Sequence, residues 1–182
     1  LLQSNPFRDM KLSIKKGRTE RKPFTLPELK KILKPETYLD NTVHFKHPIH
    51  NYGGAKLGNA YYWVFILGIF SGLRTNEMAQ MRLEDIKKES NIWFLHVEDS
   101  EQTNVKTANA IRKVPVHPQL MELGFIDHVT SLRKQKKDRL FWELTKTRDG
   151  YAKQLSRHFN EKYLRAVGVW ERNIKVLYCT RH

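Results

Sequence analysis

An arginine stands where an apolar segment of the sequence ends. Residues 60–70 are almost entirely apolar, Gly72 supplies a turn, and Arg74 follows two residues later. A charge at the rim of a packed core costs several kcal/mol unless an anion pairs with it. Two anions are possible partners. One is the carboxylate of Glu77, three residues on; the other is a phosphate, which a planar guanidinium binds through two parallel hydrogen bonds.

Two further cations occupy positions from which they could reach the same anion. Lys106 lies in a polar connection between two predicted strands, where a lysine can act as a general acid if neighbouring cations lower its pKa. Arg181 follows the apolar run 174–177 at a predicted helix start, and helix N-termini present free N–H groups to phosphates. Taken alone, Lys106 is better explained as a solvated loop lysine and Arg181 as a structural residue.

The overall charge indicates a polyanionic partner. The chain carries a net charge of +14 at pH 7 with a sequence pI near 9.9, although its 40% hydrophobic content is ordinary. Nucleic acid is the first candidate for such a partner, and an anionic membrane surface is the second. No run reaches the roughly 20 apolar residues that would span a bilayer. We therefore expect no membrane insertion.

The positive charge is concentrated in two regions of the sequence. Residues 1–22 hold seven Lys or Arg against two acids, and residues 131–165 hold eleven against four. Two basic regions at opposite ends favour a partner that the protein wraps, such as a DNA duplex, over a flat surface. The residues predicted to bind DNA are Lys15, Lys16, Arg112, Lys113 and Arg157.

Cysteine and histidine content limits the other chemistries. Cys179 is the single cysteine, which excludes an internal disulfide and a multi-cysteine zinc site and fits a reducing cytosol. His44, His47 and His50 recur every three residues, but Pro48 interrupts them and no acidic or thiol ligand lies among them. We interpret these histidines as part of a surface loop and predict no metal site.

Periodicity predicts a mainly helical domain with one small antiparallel hairpin or sheet. A capping box at Thr25 and Glu28 starts the folded part near Phe24. The uniformly apolar residues 59–70 indicate a central helix. Further elements are predicted as strands at 92–97 and 113–116, helices at 73–81 (closed by 83–86), from Pro118 to about Arg133 and at 151–167 (ended by Gly168), and a short buried segment at 140–142.

The ordered set of motifs resembles the catalytic domain of the tyrosine recombinases, the phage-integrase family. It consists of Gly-Leu-Arg-x-x-Glu, then Lys-Thr-x4-Arg-x-Val-Pro on the predicted hairpin, then x-x-x-Arg-His. Residues 24–29, 83–86 and 155–160 fit the same pattern, and Asn5-Pro6-Phe7 resembles the junction after a separate DNA-binding domain. The resemblance implies an α+β, mainly helical catalytic domain at residues 23–182, incomplete at its C-terminus, after a basic linker at residues 1–22.

Members of this family cut and rejoin DNA through a 3′-phosphotyrosyl intermediate without metal or nucleotide cofactor. By this resemblance Arg74 and Arg181 would clamp the scissile phosphate, and Lys106 would protonate the departing 5′-oxygen. Two fixed cations suit this task because negative charge develops in the pentavalent transition state. Glu77 would orient Arg74 from behind, and His182 would have a supporting role.

The sequence departs from the family pattern in two places. The family usually has histidine where Tyr178 stands, and a phenol is a poorer proton shuttle at neutral pH than an imidazole. We therefore expect Tyr178 to hydrogen-bond the phosphate. The family's nucleophilic tyrosine lies further along than His182, so we expect this chain not to cleave DNA by itself.

The resemblance also implies the setting in which the protein works. Double-stranded DNA would be the partner, with a homotetramer assembling on it in the full-length protein, in a prokaryotic cytoplasm and in the service of a mobile element. One alternative is a DNA-binding protein that keeps the scaffold but has lost the chemistry. Another is a basic protein that binds RNA or an acidic partner, although no RNA-binding motif is recognisable.

Overall fold

The computed structural model describes residues 20–34, 58–98 and 111–181. Some residues discussed above lie outside these ranges: Asn5, Pro6, Phe7, Lys15, Lys16, His44, His47, His50, Lys106 and His182. The predictions made for them stay predictions.

Helices dominate the described part of the chain, and they surround one small sheet. The elements are α1 (Leu26–Ile32), α2 (Gly58–Ser71), α3 (Thr75–Gln80), β1 (Ile86–Glu89), β2 (Ile92–Val97), β3 (Arg112–Pro115), α4 (Pro118–Glu122), α5 (Phe125–Lys134), α6 (Ala152–Arg157) and α7 (Leu164–Ala166). Single 3-10 turns lie at Leu83–Asp85 and Leu177–Arg181, and a π-helical segment, His158–Tyr163, joins α6 to α7. The predicted class, α+β and mainly α, is confirmed.

Helix α2 is the centre of the core, as its uniformly apolar sequence predicts. Every residue from 60 to 67 is at most 3% exposed, including Trp63 and Phe65. The helix ends at Gly72, whose backbone lies in the left-handed region with φ +62 and whose N–H donates to the carbonyl of Gly68 at 3.1 Å. A glycine adopts this conformation without strain, which lets the chain turn sharply into Leu73 and Arg74.

The sheet has one strand more than the two predicted from the sequence. Its order is β1-β2-β3, antiparallel throughout, with Leu95 of β2 opposite Ile86 on one side and Val114 on the other. The prediction that residues 83–86 close a helix was wrong, because α3 ends at Gln80 and β1 begins at Ile86. Ser90 and Asn91 both have positive φ, as a tight hairpin turn between β1 and β2 requires.

Two other predictions also need correction. A continuous helix from Pro118 to about Arg133 was expected, but α4 and α5 are separated at Gly124, which has φ +80 and so cannot continue a helix. Leu140 and Phe141 are fully buried as predicted, whereas Trp142 is 37% exposed and carries the ammonium of Lys137 over its ring at 3.7 Å.

The helical prediction for residues 151–167 is confirmed, with a π-helical middle that the periodicity does not reveal. Leu155, Phe159, Tyr163 and Leu164 are each 0% exposed and form its inner face. The hydroxyl of Tyr163 donates to the carbonyl of Ile32 at 2.5 Å, which fastens this helix to the end of α1. Gly168 follows in the left-handed conformation with φ +69 and ends the helix.

Arg181 lies in the 3-10 turn Leu177–Arg181, four residues after its first residue. This turn packs against the last turn of α2, where an atom added in place of the missing Cβ of Gly68 would lie 2.4 Å from Thr180 Oγ1. The absent side chain at Gly68 is what allows the approach.

Candidate phosphate-binding site

The candidate site begins with an ion pair at the start of α3. Arg74 immediately precedes this helix, and Glu77 is its third residue. One oxygen of the Glu77 carboxylate accepts the backbone N–H of Arg74 at 2.7 Å, and the other accepts Nη1 of the same arginine, also at 2.7 Å. The same carboxylate therefore starts the helix and fixes the orientation of the arginine.

A second arginine shares this carboxylate. Arg112 on β3 donates from Nη2 to Glu77 Oε2 at 2.9 Å and from Nη1 to Oε1 at 3.4 Å. The alternation of the strand explains the placement, because Arg112 and Val114 are half-buried while Lys113 is exposed and pairs with Glu89 at 2.7 Å. The sequence suggested Arg112 and Lys113 only as DNA contacts, and the joint role at Glu77 was missed.

The electrostatics of the three groups hold Glu77 in its charged form. Burial opposes ionisation of this carboxyl, but hydrogen bonds from Arg112 and Arg74 outweigh it and lower the pKa of Glu77. The bond to Glu77 in turn raises the pKa of Arg74. The Glu77 side chain is 5% exposed, whereas Arg74 and Arg112 remain 29% and 30% exposed. The two arginines thus share one buried carboxylate while part of each guanidinium side chain stays exposed.

Tyr178 connects Arg74 to Arg181. Nη1 of Arg181 donates to the phenolic oxygen at 3.2 Å, and a hydrogen bond with Tyr178 also contributes to the raised pKa of Arg74. A guanidinium only donates hydrogen bonds, so Arg181 uses a lone pair of this oxygen. The phenol thus links Arg181 to the electrostatic surroundings of Arg74.

The last turn of α2 and the Gly72 turn that follows it set the spacing of the two arginines. Arg74 emerges from the Gly72 turn at the C-terminus of the helix, and Arg181 is carried by the 3-10 turn that rests on Gly68. Two glycines, Gly68 in α2 and Gly72 just after it, therefore bring together Arg74 and Arg181, which are distant in the sequence. The motif reveals the arginines, but nothing in it reveals this role of Gly68.

Arg21 is a further member of the cluster that the sequence did not single out. Its guanidinium carbon lies 4.6 Å from the centroid of the Tyr178 ring. It stands within a segment rich in lysine and arginine, so no local pattern distinguishes it from its neighbours. The cluster within the described residues thus comprises Arg21, Arg74, Arg112, Arg181, Tyr178 and Glu77.

Other predicted features lie away from this cluster. Arg157 is on an exposed helical face and pairs with Glu161 at 3.1 Å. In the part of the chain that the structure describes, no three His, Cys, Asp or Glu side chains are grouped so as to hold a metal ion. None of the described helices combines the length and apolar character needed to cross a membrane.

Comparison with known proteins supports the fold. No protein-family model matches the sequence, and neither does any curated protein. The XerH site-specific recombinase bound to difH substrate, in a pre-cleavage complex, superposes with a TM-score of 0.54 at 16% identity over 90% of this chain. Its post-cleavage complex on palindromic difH substrate gives the same values.

The chain has the fold of the tyrosine-recombinase catalytic domain. It spans 41% of the length of the XerH chain, so the likeness concerns one part of that recombinase. At this level of identity the likeness extends to the backbone arrangement alone.

Proposed function

We propose that this chain is the catalytic domain of a tyrosine-type site-specific DNA recombinase, and that the cluster around Tyr178 binds the scissile phosphate. The observation that carries the proposal is the hydrogen bond from Arg181 to the hydroxyl of Tyr178, in a cluster with the Arg74–Glu77 pair on a recombinase fold. Glu77 pairs with both Arg74 and Arg112, whereas Arg181 donates to a phenol.

The proposed chemistry is phosphoryl transfer to a tyrosine. The nucleophilic phenol, which we expect beyond His182, releases its proton to water, attacks the phosphorus and forms a 3′-phosphotyrosyl bond while the bond to the 5′-oxygen breaks. Lys106 gives its proton to that departing oxygen. Arg74 and Arg181 hold the two non-bridging oxygens, where preorganised cations stabilise developing negative charge without having to reorganise.

Tyr178 has a binding role in this scheme. With one lone pair used by Arg181, its hydroxyl donates to a non-bridging oxygen and does not remove protons. Glu77 keeps Arg74 and Arg112 in place and never touches the substrate. His182 supports the neighbouring Arg181.

The partners follow from the same proposal. Double-stranded DNA is bound across the basic surface, including Lys15, Lys16, Lys113 and Arg157, and four copies assemble on it in a prokaryotic cytoplasm. The recombined DNA belongs to a mobile element that integrates. The excess of positive charge supports DNA binding but carries no base-specific information.

Strand cleavage by the product of the complete gene tests the proposal. Suicide substrates that trap a covalent adduct should react with the wild type, whereas Arg74→Ala and Arg181→Ala should lower trapping by at least about a hundredfold. DNA affinity should change by only about tenfold, because many other cations share the phosphate contacts. Unchanged cleavage in either variant would contradict the assignment.

The second candidate is a DNA-binding protein that keeps the scaffold without the chemistry. Tyr178 favours it, because it occupies the position where the family usually has a histidine. In this case the complete gene product would bind duplex DNA and form no covalent adduct. Replacing Tyr178 with His would then produce no covalent adduct either.

A further inference from the structure

The surroundings of Tyr178 include a cation from the beginning of the described chain. Arg21 lies over the face of the ring, with its guanidinium carbon 4.6 Å from the ring centroid. The edge of the same ring carries the hydroxyl that meets Arg181 at 3.2 Å. A guanidinium over an aromatic face is attracted by the ring quadrupole and restricts the ring's rotation and tilt.

Arg21 is held in this position by contacts on its C-terminal side. The N–H of Lys22 donates to the carbonyl of Ile174 at 3.3 Å. Nζ of Lys175 donates to the carbonyl of Pro23 at 2.5 Å and to the carboxylate of Glu28 at 2.7 Å. These bonds join the segment before α1 to the segment that leads to Tyr178.

The ammonium of Lys175 strengthens the connection between the segment before α1 and the segment that leads to Tyr178. Its side chain is 7% exposed, and its charge is matched by the Glu28 carboxylate, which is 25% exposed. Burial opposes ionisation of Glu28, but the hydrogen bond from Lys175 and those from Thr25 outweigh it and lower the pKa of this carboxyl. A buried, paired ammonium with two acceptors fixes its neighbours more strongly than an exposed ion pair would.

We propose that Arg21 is a positioning residue of the phosphate site. By stacking on Tyr178 it holds the phenolic hydroxyl between Arg74 and Arg181, so the segment before α1 and the anion-binding groups are energetically coupled. The inference rests on the proposed function in one respect, that the bound anion is a phosphate of DNA. The stacking and its effect on the ring do not depend on that function.

Tyrosine NMR of the 182-residue chain tests the positioning role. Ring signals from 13C-labelled tyrosine would be assigned with Tyr178→Phe. We expect Arg21→Ala to move the Tyr178 signal and Arg21→Lys to restore it in part. Lys22→Ala removes an equal charge one residue away and should leave the Tyr178 signal in place. The buried Tyr61, Tyr62 and Tyr163 report in each variant whether the core is intact.

Titration with inorganic phosphate then tests the coupling. Phosphate should shift the Tyr178 signal in the wild type and in Lys22→Ala, whereas Arg21→Ala should need about three- to tenfold more phosphate for half of the shift. The inference would be overturned if Arg21→Ala left the Tyr178 signal unmoved. It would also be overturned if Arg21→Ala and Lys22→Ala lost phosphate affinity equally. If phosphate shifts no signal in the wild type, the failure belongs to the proposed phosphate site and to the coupling, while the stacking is judged by the variants alone.

Discussion

At the scale of single residues, the hydroxyl of Tyr178 and the carboxylate of Glu77 have opposite tasks. The carboxylate accepts hydrogen bonds from the backbone and guanidinium of Arg74 and from Arg112. Its capacity to accept hydrogen bonds is therefore used inside the protein. Tyr178 is half-buried, and its hydroxyl accepts a hydrogen bond from Arg181. We therefore interpret Glu77 as support and Tyr178 as a ligand of the incoming anion.

The loss of one hydroxyl separates these two tasks. Tyr178→Phe keeps the ring under Arg21 and removes only the phenolic oxygen. If that oxygen donates to the phosphate, trapping of a suicide substrate by the complete gene product should fall by about a hundredfold. DNA affinity should stay within about threefold of the wild type. Tyr178→His restores a hydrogen-bond donor, so its trapping of the suicide substrate should fall much less. Equal trapping by the wild type, Tyr178→Phe and Tyr178→His would contradict this role.

The charge of Glu77 has a consequence for stability at acid pH. Because the pKa of Glu77 is lowered in the folded protein, its contribution is complete above its ordinary value of 4.5 and is lost as the pH falls through the lowered value. Glu77→Gln should be less stable at pH 7, by about 1–3 kcal/mol. The difference should shrink below about pH 4.

Denaturant unfolding at several pH values measures this effect. Glu161→Gln is the matched control, because it breaks an exposed pair with Arg157 that should contribute about 0–1 kcal/mol at any pH. A stability difference between wild type and Glu77→Gln that stays constant from pH 7 to pH 3 would contradict the prediction.

At the scale of elements, α2 is the reference to which the other parts of the site are fixed. The Gly72 turn at its end is followed by Arg74, its last turn packs against the 3-10 turn with Arg181 at Gly68, and β3 reaches the site through Arg112. A larger residue at one helical position should therefore disturb the geometry of the arginine cluster and the stability together.

Gly68 is the position to change. In Gly68→Ala the new methyl group would lie 2.4 Å from Thr180 Oγ1 and 2.9 Å from its Cβ, so the 3-10 turn must move. We expect a loss of about 1–3 kcal/mol in unfolding free energy. The Tyr178 ring signal should also shift, because Tyr178 lies on the displaced turn.

A double-mutant cycle identifies the cause of that loss. Thr180→Ala removes the hydroxyl oxygen that the new methyl group would meet, so Gly68→Ala with Thr180→Ala should recover part of the stability. Additive losses from the two substitutions would show that the contact between these positions is not the cause.

At the scale of the whole molecule, the net charge indicates the class of partner, and the fold determines which cations can contact that partner. The chain has a charge of +14, and the described part offers both a cluster of arginines and exposed cations that are not members of it, such as Arg157. The cluster is suited to one phosphate, whereas the dispersed cations are suited to the rest of a duplex.

Salt dependence of duplex binding distinguishes these contributions. The logarithm of the association constant should fall linearly with the logarithm of salt concentration. Arg157→Gln should reduce the slope by about 1, the value expected for one lost phosphate contact. Glu161→Gln removes only the partner of this arginine, so binding should not weaken. An unchanged slope in Arg157→Gln would remove this residue from the DNA surface.

Much of the fold could be predicted because periodicity reports burial. The apolar run of α2 and the strand at 92–97 are both confirmed, although Leu95, His96 and Val97 are all buried and the burial along β2 does not alternate. The break between α4 and α5 and the first strand were missed for a physical reason. Both depend on backbone conformations with positive φ, at Gly124 and at Ser90 with Asn91, which leave little trace in hydrophobic patterning.

The candidate site could be predicted only in part, because motifs report residue types and not their partners. Arg74 with Glu77 is a local pair that spacing reveals. Arg112 reaches Glu77, and Arg21 reaches Tyr178, only after distant segments have folded together. Contacts of this kind depend on tertiary structure and have no signature along one sequence.

The close approach of Gly68 to Thr180 gives a rule for evolutionary comparison. Among related proteins, residue volumes at these two positions should vary reciprocally, with a larger residue at one accompanied by a smaller one at the other. Such covariation can be read from sequences alone. It would identify distant relatives whose arginine motifs have drifted, and it would separate them from proteins that carry a similar motif by chance.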